Sequence, residues 1–573
     1  MLKIFLLLSM SLSLTLSSTA QKKVNIVADI ILYNGKIWTG NKTPAFVDAV
    51  AIKGNKILQT GATAAIKRLA GRQTYLVDLK GKLVTAGFND AHTHFLGGSL
   101  GLTGIDLYES KNLGEALIAI EQFAKKHPEK KWLTGMGWQY NIFENGMPEK
   151  KALDQLDAIS NGHPIYLNAY DGHSIWVNSV VLKMAGITGK TTFAGFGEII
   201  KDANGEPTGA LTEGAGSLVS KIVPLSTRAE ELDALREGMK YAKSHGITSI
   251  QNASGSIAEF ALYQALLKKG ELTLRSSTAF SAGKNTTEKD IQQFIQVKNS
   301  TYKNPLLSAG CIKFMLDGVI ESHTAAMLEP YSDVPADSKK SNSDFALPLN
   351  IYRSLLTRFD KEGFQIYTHA IGDKSVREAL NAYENARKIN GTTGRRHRIE
   401  HIEQTDPEDL PRFAKLGVMA SMEPIHADPG TIDVWAKAVG EKRLSHSFVW
   451  ASMLKNKAHL VFSSDWPACI TPDPVRGLHN AVNRQSIDGT PHGGWVPEQK
   501  ISVTDAMIAY TQGGAYSSKE ENSKGKILPG YLADIIVFSQ NLFKIPSSDI
   551  YKTKVLLTIF NGKVIYDGGA GIK

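Results

Sequence analysis

Val84-Thr-Ala-Gly-Phe-Asn-Asp-Ala-His-Thr-His-Phe95 opens on small and apolar residues and ends on two histidines one residue apart. Along a β-strand, residues i and i+2 share a face, so His92 and His94 present their imidazoles side by side. Neutral imidazole nitrogens suit zinc and related transition metals. The C-terminal end of a strand is also where a parallel barrel keeps its active site. Taken alone, the pair is weak evidence, and two partly exposed histidines on a strand end are the plainer reading. The rest of the chain separates the two readings.

Working outward, apolar strand candidates fall at 84–94, 247–254, 274–281, 311–319, 364–370, 398–404, 418–422 and 459–465. Helical patterns such as 375–390 and 406–416 fill the gaps, which predicts a parallel α/β architecture. Eight strands are the number that closes a (β/α)8 TIM barrel. The stretch from about 106 to 241 is too long for a crossover helix and is expected to form an inserted lobe after strand 1. It is rich in aromatics (Trp132, Trp138, Tyr140, Tyr166, Tyr170, Trp176) and contains a hairpin-like segment at 197–205.

Both ends of the chain have a different character. Runs at 30–38, 50–58 and 75–84 carry Asn34-Gly35, Gly54-Asn55 and Lys80-Gly81 between apolar residues, each a hairpin signal. Near the other end, 533–538 and 555–565 repeat the pattern, with Asn561-Gly562-Lys563 echoing Asn34-Gly35-Lys36. Residues 21–85 and 520–573 are therefore expected to build one small composite β-domain, a sandwich beside a barrel of residues 86–519.

Residues 1–20 have the make-up of a signal peptide: Lys3 in a short n-region, an apolar stretch over 4–16, and Ser18-Thr19-Ala20 as cleavage site. Export to a periplasmic or secreted location, with a mature start near Gln21, is the expectation. The apolar stretch is too short for a spanning helix and no second one follows, so no stable membrane insertion is expected after cleavage. Across 573 residues, 42% apolar and 21% charged content fit a large globular core. The net charge of +9 comes from scattered residues with no dense basic run, which argues against nucleic-acid binding. Cys311 and Cys469 sit in strand-like apolar contexts and are expected as two buried thiols, although an oxidising compartment would permit a pair.

Several predicted strands carry a metal-ligand type near their ends. Lys313 interrupts an apolar strand, His369 and His401 close theirs, and Asp465 closes the last. A barrel converges such termini on one cavity.

With these residues in place, the sequence resembles the amidohydrolase superfamily, in its amidohydrolase-3 branch of YtcJ-like hydrolases and N-substituted formamide deformylases. The resemblance runs through Gly87-Phe-Asn-Asp-Ala-His-Thr-His94, Asp171-Gly-His-Ser-Ile-Trp-Val-Asn178, Gly205-Glu-Pro-Thr-Gly-Ala-Leu-Thr-Glu213 and Lys313-Phe-Met-Leu-Asp317. It continues through Thr368-His-Ala-Ile-Gly-Asp373, Arg398-Ile-Glu-His-Ile-Glu-Gln404, Ser463-Ser-Asp-Trp-Pro467 and Lys524-Gly-Lys-Ile-Leu-Pro-Gly-Tyr-Leu-Ala-Asp534.

The resemblance implies a metal-dependent hydrolase of a small-molecule C–N bond, with one or two zinc ions per subunit. His92, His94 and Asp465 would hold the more buried ion, and His369 and His401 a more exposed one. Lys313 would bridge them as an N-carboxylated (carbamylated) lysine; the alternative is an ordinary lysine paired with a carboxylate such as Asp317. Asp465 would carry protons to and from the reacting water and amine. His173 is a further candidate for catalysis or substrate contact, or else a loop histidine holding a turn. His426, after the seventh strand, is a candidate pocket residue. His323 receives no role. Trp138 and Trp176 are candidate substrate-binding walls favouring apolar groups, against the alternative that they form the lobe's own core. A second copy of the chain is kept as a candidate partner. Competing readings are the same metal site acting on an ester, a carbamate or a ring amine, or a binding homologue that has lost catalysis.

Overall fold

The computed structural model describes residues 26–568 apart from 44, 302–303, 336, 339–340 and 470. The predicted signal segment lies outside the described residues. Eight parallel strands form one sheet in chain order: β1 (Phe88–Thr93), β2 (Ile247–Gly255), β3 (Arg275–Ser281), β4 (Leu307–Met315), β5 (Gln365–Ala370), β6 (Arg398–His401), β7 (Met419–Met422) and β8 (His459–Phe462). Helices such as Ile257–Lys268, Leu349–Lys361 and Asp373–Asn390 cover the outside and share one continuous apolar core with the strands. β1 and β5 are buried at every position, as strands enclosed on both faces should be. The ring closes just beyond the ladder, where Asp465 N–H donates to His92 O at 2.8 Å and His94 N–H to Trp466 O at 2.7 Å. This is a TIM barrel.

The expected first strand, 84–94, is two strands in different sheets. Leu83–Ala86 pairs with Ile535–Phe538 and Lys36–Trp38, and β1 pairs with β2. Gly87 makes the step between them. A Cβ there would stand 2.2 Å from Thr248 Oγ1, so only glycine allows this approach to β2. Three other strands end differently from expectation. β4 stops at Met315, and β6 and β8 stop short of 404 and 465. Positive φ at His401 (75°), Ile402 (54°) and Asp465 (59°) turns the chain out of the ladder.

The composite β-domain is a sandwich. One sheet runs Lys56–Gly61, Ala49–Lys53, Ile30–Tyr33, Tyr75–Asp78. The other runs Lys563–Asp567, Val555–Phe560, Ile535–Phe538, Leu83–Ala86, Lys36–Trp38, Phe46–Val47. Leu32, Val50, Ile52 and Val77 of the first face Ile37, Val84, Val537 and Ile559 of the second. Gly54-Asn55 and Asn561-Gly562 do turn hairpins. Asn34-Gly35 and Lys80-Gly81 do not, because the strands flanking each lie in opposite sheets. Their apolar residues are buried by facing across the core instead of pairing edge to edge.

The inserted lobe carries its own six-stranded sheet, from Ile199–Lys201 through Pro207–Thr212, Ser174–Val177, Ile165–Ala169 and Leu133–Trp138 to Ile105–Asp106. Its first two strands form the hairpin expected at 197–205. Both cysteines are free and buried. Among the described residues, no helix is long and apolar enough to cross a membrane.

Candidate metal centre

His92 is fully buried at the mouth end of β1. Its Nδ1 lies 2.5 Å from Glu400 Oε2. Glu400 also receives Nε–H and Nη2–H of Arg398, at 2.8 and 2.7 Å, and Arg398 Nη2 donates to Ala91 O at 2.8 Å. With Nδ1–H committed to a carboxylate, Nε2 keeps the lone pair, the arrangement that fixes a metal-binding imidazole.

That lone pair points at an unusual spot. His92 Nε2 and His94 Nε2 each stand 3.2 Å from Asp465 Oδ1. This oxygen is buried and accepts no hydrogen bond. A buried acceptor left unpaired costs roughly 1–3 kcal/mol. Two imidazole nitrogens and a carboxylate oxygen around one point are a donor set for a divalent cation, and zinc takes these ligand types. Lys313 Nζ lies 3.1 Å from His92 Nε2. Asp317, its candidate salt-bridge partner, is committed elsewhere: it accepts the backbone N–H groups of Ile371, Gly372 and Ala326.

His369, one residue before the end of β5, and His401, at the end of β6, have ring centroids 4.5 Å apart. His401 Nδ1 donates to Glu423 Oε2 at 3.0 Å, and Glu423 Oε1 accepts Ser463 Oγ–H at 2.8 Å. His369 Nε2 donates to Gly318 O at 3.1 Å, which leaves Nδ1 as its acceptor nitrogen. Three-residue ligand groups among the described residues are His92–His94–Asp465, His401–Glu423–His426 and His92–Glu400–Glu423. His369 belongs to none of these.

The imidazoles fall into two electrostatic classes. Burial holds His92 and His369 well below the usual histidine range and pushes His401 down to about 3. All three are neutral, the form that ligates metal. Burial also lowers the Lys313 ammonium, against the carboxylates of Glu400, Asp465 and Glu423. His173 and His426 behave oppositely. Burial disfavours their charge, but Glu213 beside His173 and Glu403 beside His426 override it and lift each to about 10.

These groups enclose a cavity of about 20 Å3 lined by Tyr170, Asp171, His173, Val319, Glu321, His369, Ile371, His401, Glu403, His426 and Asp465. That is room for one or two waters. Tyr170 and His173 hang from the lobe, and Tyr170 O–H donates to Glu321 at 2.8 Å across the boundary. A much larger cavity, about 1000 Å3, opens between the lobe and helix Arg228–Ser244 and shares no wall residue with the site.

Of the expected substrate contacts, His173 and His426 reach the wall, whereas Trp138 and Trp176 do not. Both tryptophans are fully buried in the lobe's core, each edge-on to Phe143 at 5.4 and 5.3 Å. They fill the lobe because they lie on its inner sheet strands, facing its helices. His323 pairs with Asp333 at 2.8 Å, away from the cavity.

Sequence reasoning passed over Glu400, Arg398, Glu423, Glu213 and Glu403. The signal for two of them was present in Arg398-Ile-Glu-His401. Alternation puts Arg398 and Glu400 on one face, where Glu400 reaches His92, while His401, at positive φ, lines the small cavity.

Residues 75–566 match the amidohydrolase family, and the chain belongs to it. The protein is a metal-dependent hydrolase of the YtcJ-like branch. It is 31% identical to the protein LONG AFTER FAR-RED 3 of Arabidopsis thaliana, over 94% of this chain and 92% of that one. It is 28% identical to the putative amidohydrolase YtcJ of Bacillus subtilis, over 94% and 99%. It is 24% identical to the N-substituted formamide deformylase of Arthrobacter pascens, over 94% and 98%. Among solved structures, an uncharacterized metal-dependent hydrolase from Pyrococcus horikoshii superimposes with a TM-score of 0.69 at 23% identity, covering 90% of this chain and 99% of that one.

Proposed function

We propose that this protein is an exported zinc hydrolase that adds water across the C–N bond of a small amide, cyclic amide or formamide. The observation that carries the reading is Asp465 Oδ1, buried, unpaired and 3.2 Å from two imidazole nitrogens. His92, His94 and Asp465 would hold one zinc ion, His369 and His401 would supply ligands for a second, and Lys313, once N-carboxylated, would add oxygen ligands to the site. A lysine whose burial favours the neutral amine is suited to that modification. When bound, the metal supplies Lewis acidity, lowering the pKa of water toward about 7 and polarising a carbonyl.

The chain's own residues do the rest. Glu400 and Glu423 fix the tautomers of His92 and His401. Asp465 takes the proton of the attacking water and returns it to the amine nitrogen as the C–N bond breaks. The relative named for N-substituted formamides supports the C–N assignment. The signal-like segment 1–20 supports export.

Two measurements test this. Purified protein should carry zinc and hydrolyse members of a panel of amides, cyclic amides and formamides, with Asp465→Asn as control. Zinc-loaded protein that turns over only esters, or nothing in the panel, overturns the C–N reading. Exported protein whose N-terminus still holds residues 1–20 overturns the cleaved signal.

A further inference from the structure

The ligand set has an open side. The His94 side chain is 34% exposed, whereas those of His92, His369, His401 and Asp465 are 0, 3, 3 and 7% exposed. The cavity beside His369 and His401 has room for one or two waters and none for an amide. A substrate-sized molecule therefore reaches these ligands past His94. The chain explains the opening. Helix Phe95–Gly101 starts one residue after His94, and helix Ile257–Lys268 two residues after the end of β2. Such short connections leave little βα-loop to cover that part of the mouth.

The ends of β3 and β4 stand on that side. Lys313 points into the barrel, with Nζ 3.1 Å from His92 Nε2. Residues i and i+2 share a face, so Met315 points the same way, one step nearer the mouth. Ser281 is the in-register neighbour of Lys313, and His369 that of Met315. The ladder holds to its end: Ala282 N–H donates to Lys313 O at 2.9 Å and Leu316 N–H to His369 O at 3.2 Å. Two residues below on the same faces, Ala279, Cys311 and Tyr367 pack together inside the barrel. Met315, one layer above them, is 38% exposed, and Ser281 is exposed too. Ser281 Oγ lies 2.6 Å from Ser254 Oγ of β2, a bond that uses one of the two O–H groups.

We propose that Met315 is a specificity-determining residue, which with Ser281 and Ser254 forms the wall that receives the substituent carried by the scissile amide. This rests on the hydrolase reading above. The wall is neutral, and its one large member is a flexible thioether that fits irregular apolar shapes. The substrate class it takes is an uncharged amide or formamide with an aliphatic or aromatic substituent. The serine pair offers its second O–H to a polar atom on that substituent. A carboxylate in the same place would trade its hydration for a thioether and two hydroxyls, with no cation in the wall to offset the loss.

The experiment has two arms, both on zinc-loaded protein. In the first, amides bearing butyl, methyl and carboxymethyl substituents are compared by kcat/KM, with zinc affinity read by chelator competition. Wild type should favour butyl. Met315→Ala should lower kcat/KM for butyl about 10–200-fold while methyl and zinc affinity hold, Met315→Leu should resemble wild type, and Met315→Arg should favour carboxymethyl. In the second arm, Met315→Cys is alkylated with iodoacetamide; both native cysteines are buried, so the introduced thiol reacts. Benzohydroxamate, a zinc chelator with a phenyl group beside its chelating oxygens, is added at a concentration that leaves zinc bound. It should slow this alkylation severalfold and leave that of Ile389→Cys, on an outer helix and 62% exposed, unchanged. A substrate ranking unmoved by Met315→Ala, a loss of zinc in that variant, or alkylation indifferent to benzohydroxamate overturns the wall. Wild type that cleaves no amide overturns the C–N reading instead, and the alkylation arm still decides the wall.

Discussion

The barrel floor and the lobe roof both carry histidines around one site, yet they hold them in opposite states. On the floor, His92 and His401 each lean on a glutamate, but Arg398 and Lys313 lie alongside, and burial keeps both imidazoles neutral. On the roof, His173 also leans on a glutamate, with Asp171 close by, and the two carboxylates lift its pKa to about 10 against burial. A histidine–glutamate pair therefore does not define a role. Burial and the charges around the pair decide its protonation: Lys313 stands beside His92 and His401, and Glu213 and Asp171 stand beside His173.

The largest effect should come from the floor. Asp465→Asn is expected to lower kcat about 10²–10⁴-fold with a smaller change in KM, since a proton carrier acts chiefly in the transition state. Steady-state kinetics on protein of verified zinc content checks this, and full turnover would remove Asp465 from the chemistry. Next come the groups behind the floor ligands. Glu400→Gln and Arg398→Met should each weaken zinc binding about 10–100-fold, read by chelator competition. If Arg398→Met binds zinc as wild type does, Arg398 does not orient the His92–Glu400 pair.

The lobe's tryptophans sharpen the comparison from the other side. Trp138→Ala should cost about 3–5 kcal/mol of stability by denaturant unfolding, while the ranking of substrates by kcat/KM stays the same. A reordered ranking would return Trp138 to the pocket wall. The smallest effect lies under the floor, in Glu259 on the helix after β2. Burial pushes its carboxyl up to about 7, against hydrogen bonds from Tyr263 and Asn252. Its folded pKa is above the unfolded value, so its contribution is whole at low pH and is lost as pH rises from about 4 to about 7. Glu259→Gln should flatten that slope by roughly 1–3 kcal/mol, seen in unfolding free energies at pH 5 and pH 8. An unchanged slope would place the proton elsewhere.

How much of this was legible beforehand follows from what each signal depends on. The eight strands and the His92–His94 pair were readable because period-2 patterning and strand-end chemistry are local. The second layer was not. Glu400 is 308 residues from His92, and nothing in either segment states that they touch. Trp138 and Trp176 misled for a related reason: composition located aromatics in the lobe, but which side of the lobe they fill depends on its own sheet and helices. The Asn34-Gly35 and Lys80-Gly81 turns failed because a turn residue specifies a bend, not whether the next strand stays in the same sheet.

The strand Leu83–Ala86 lies between Lys36–Trp38 and Ile535–Phe538, and one residue beyond it the chain enters β1. During synthesis the ribosome makes that strand some 450 residues before its second neighbour. Until residues 535–538 emerge its edge is bare, and the ligand-bearing strand grows from an unfinished sheet. The clasp of this ring is made some 450 residues after the strand it fastens. A chain cut short ahead of residue 535 leaves not a smaller enzyme but an open edge, the kind of surface on which strands of other chains add.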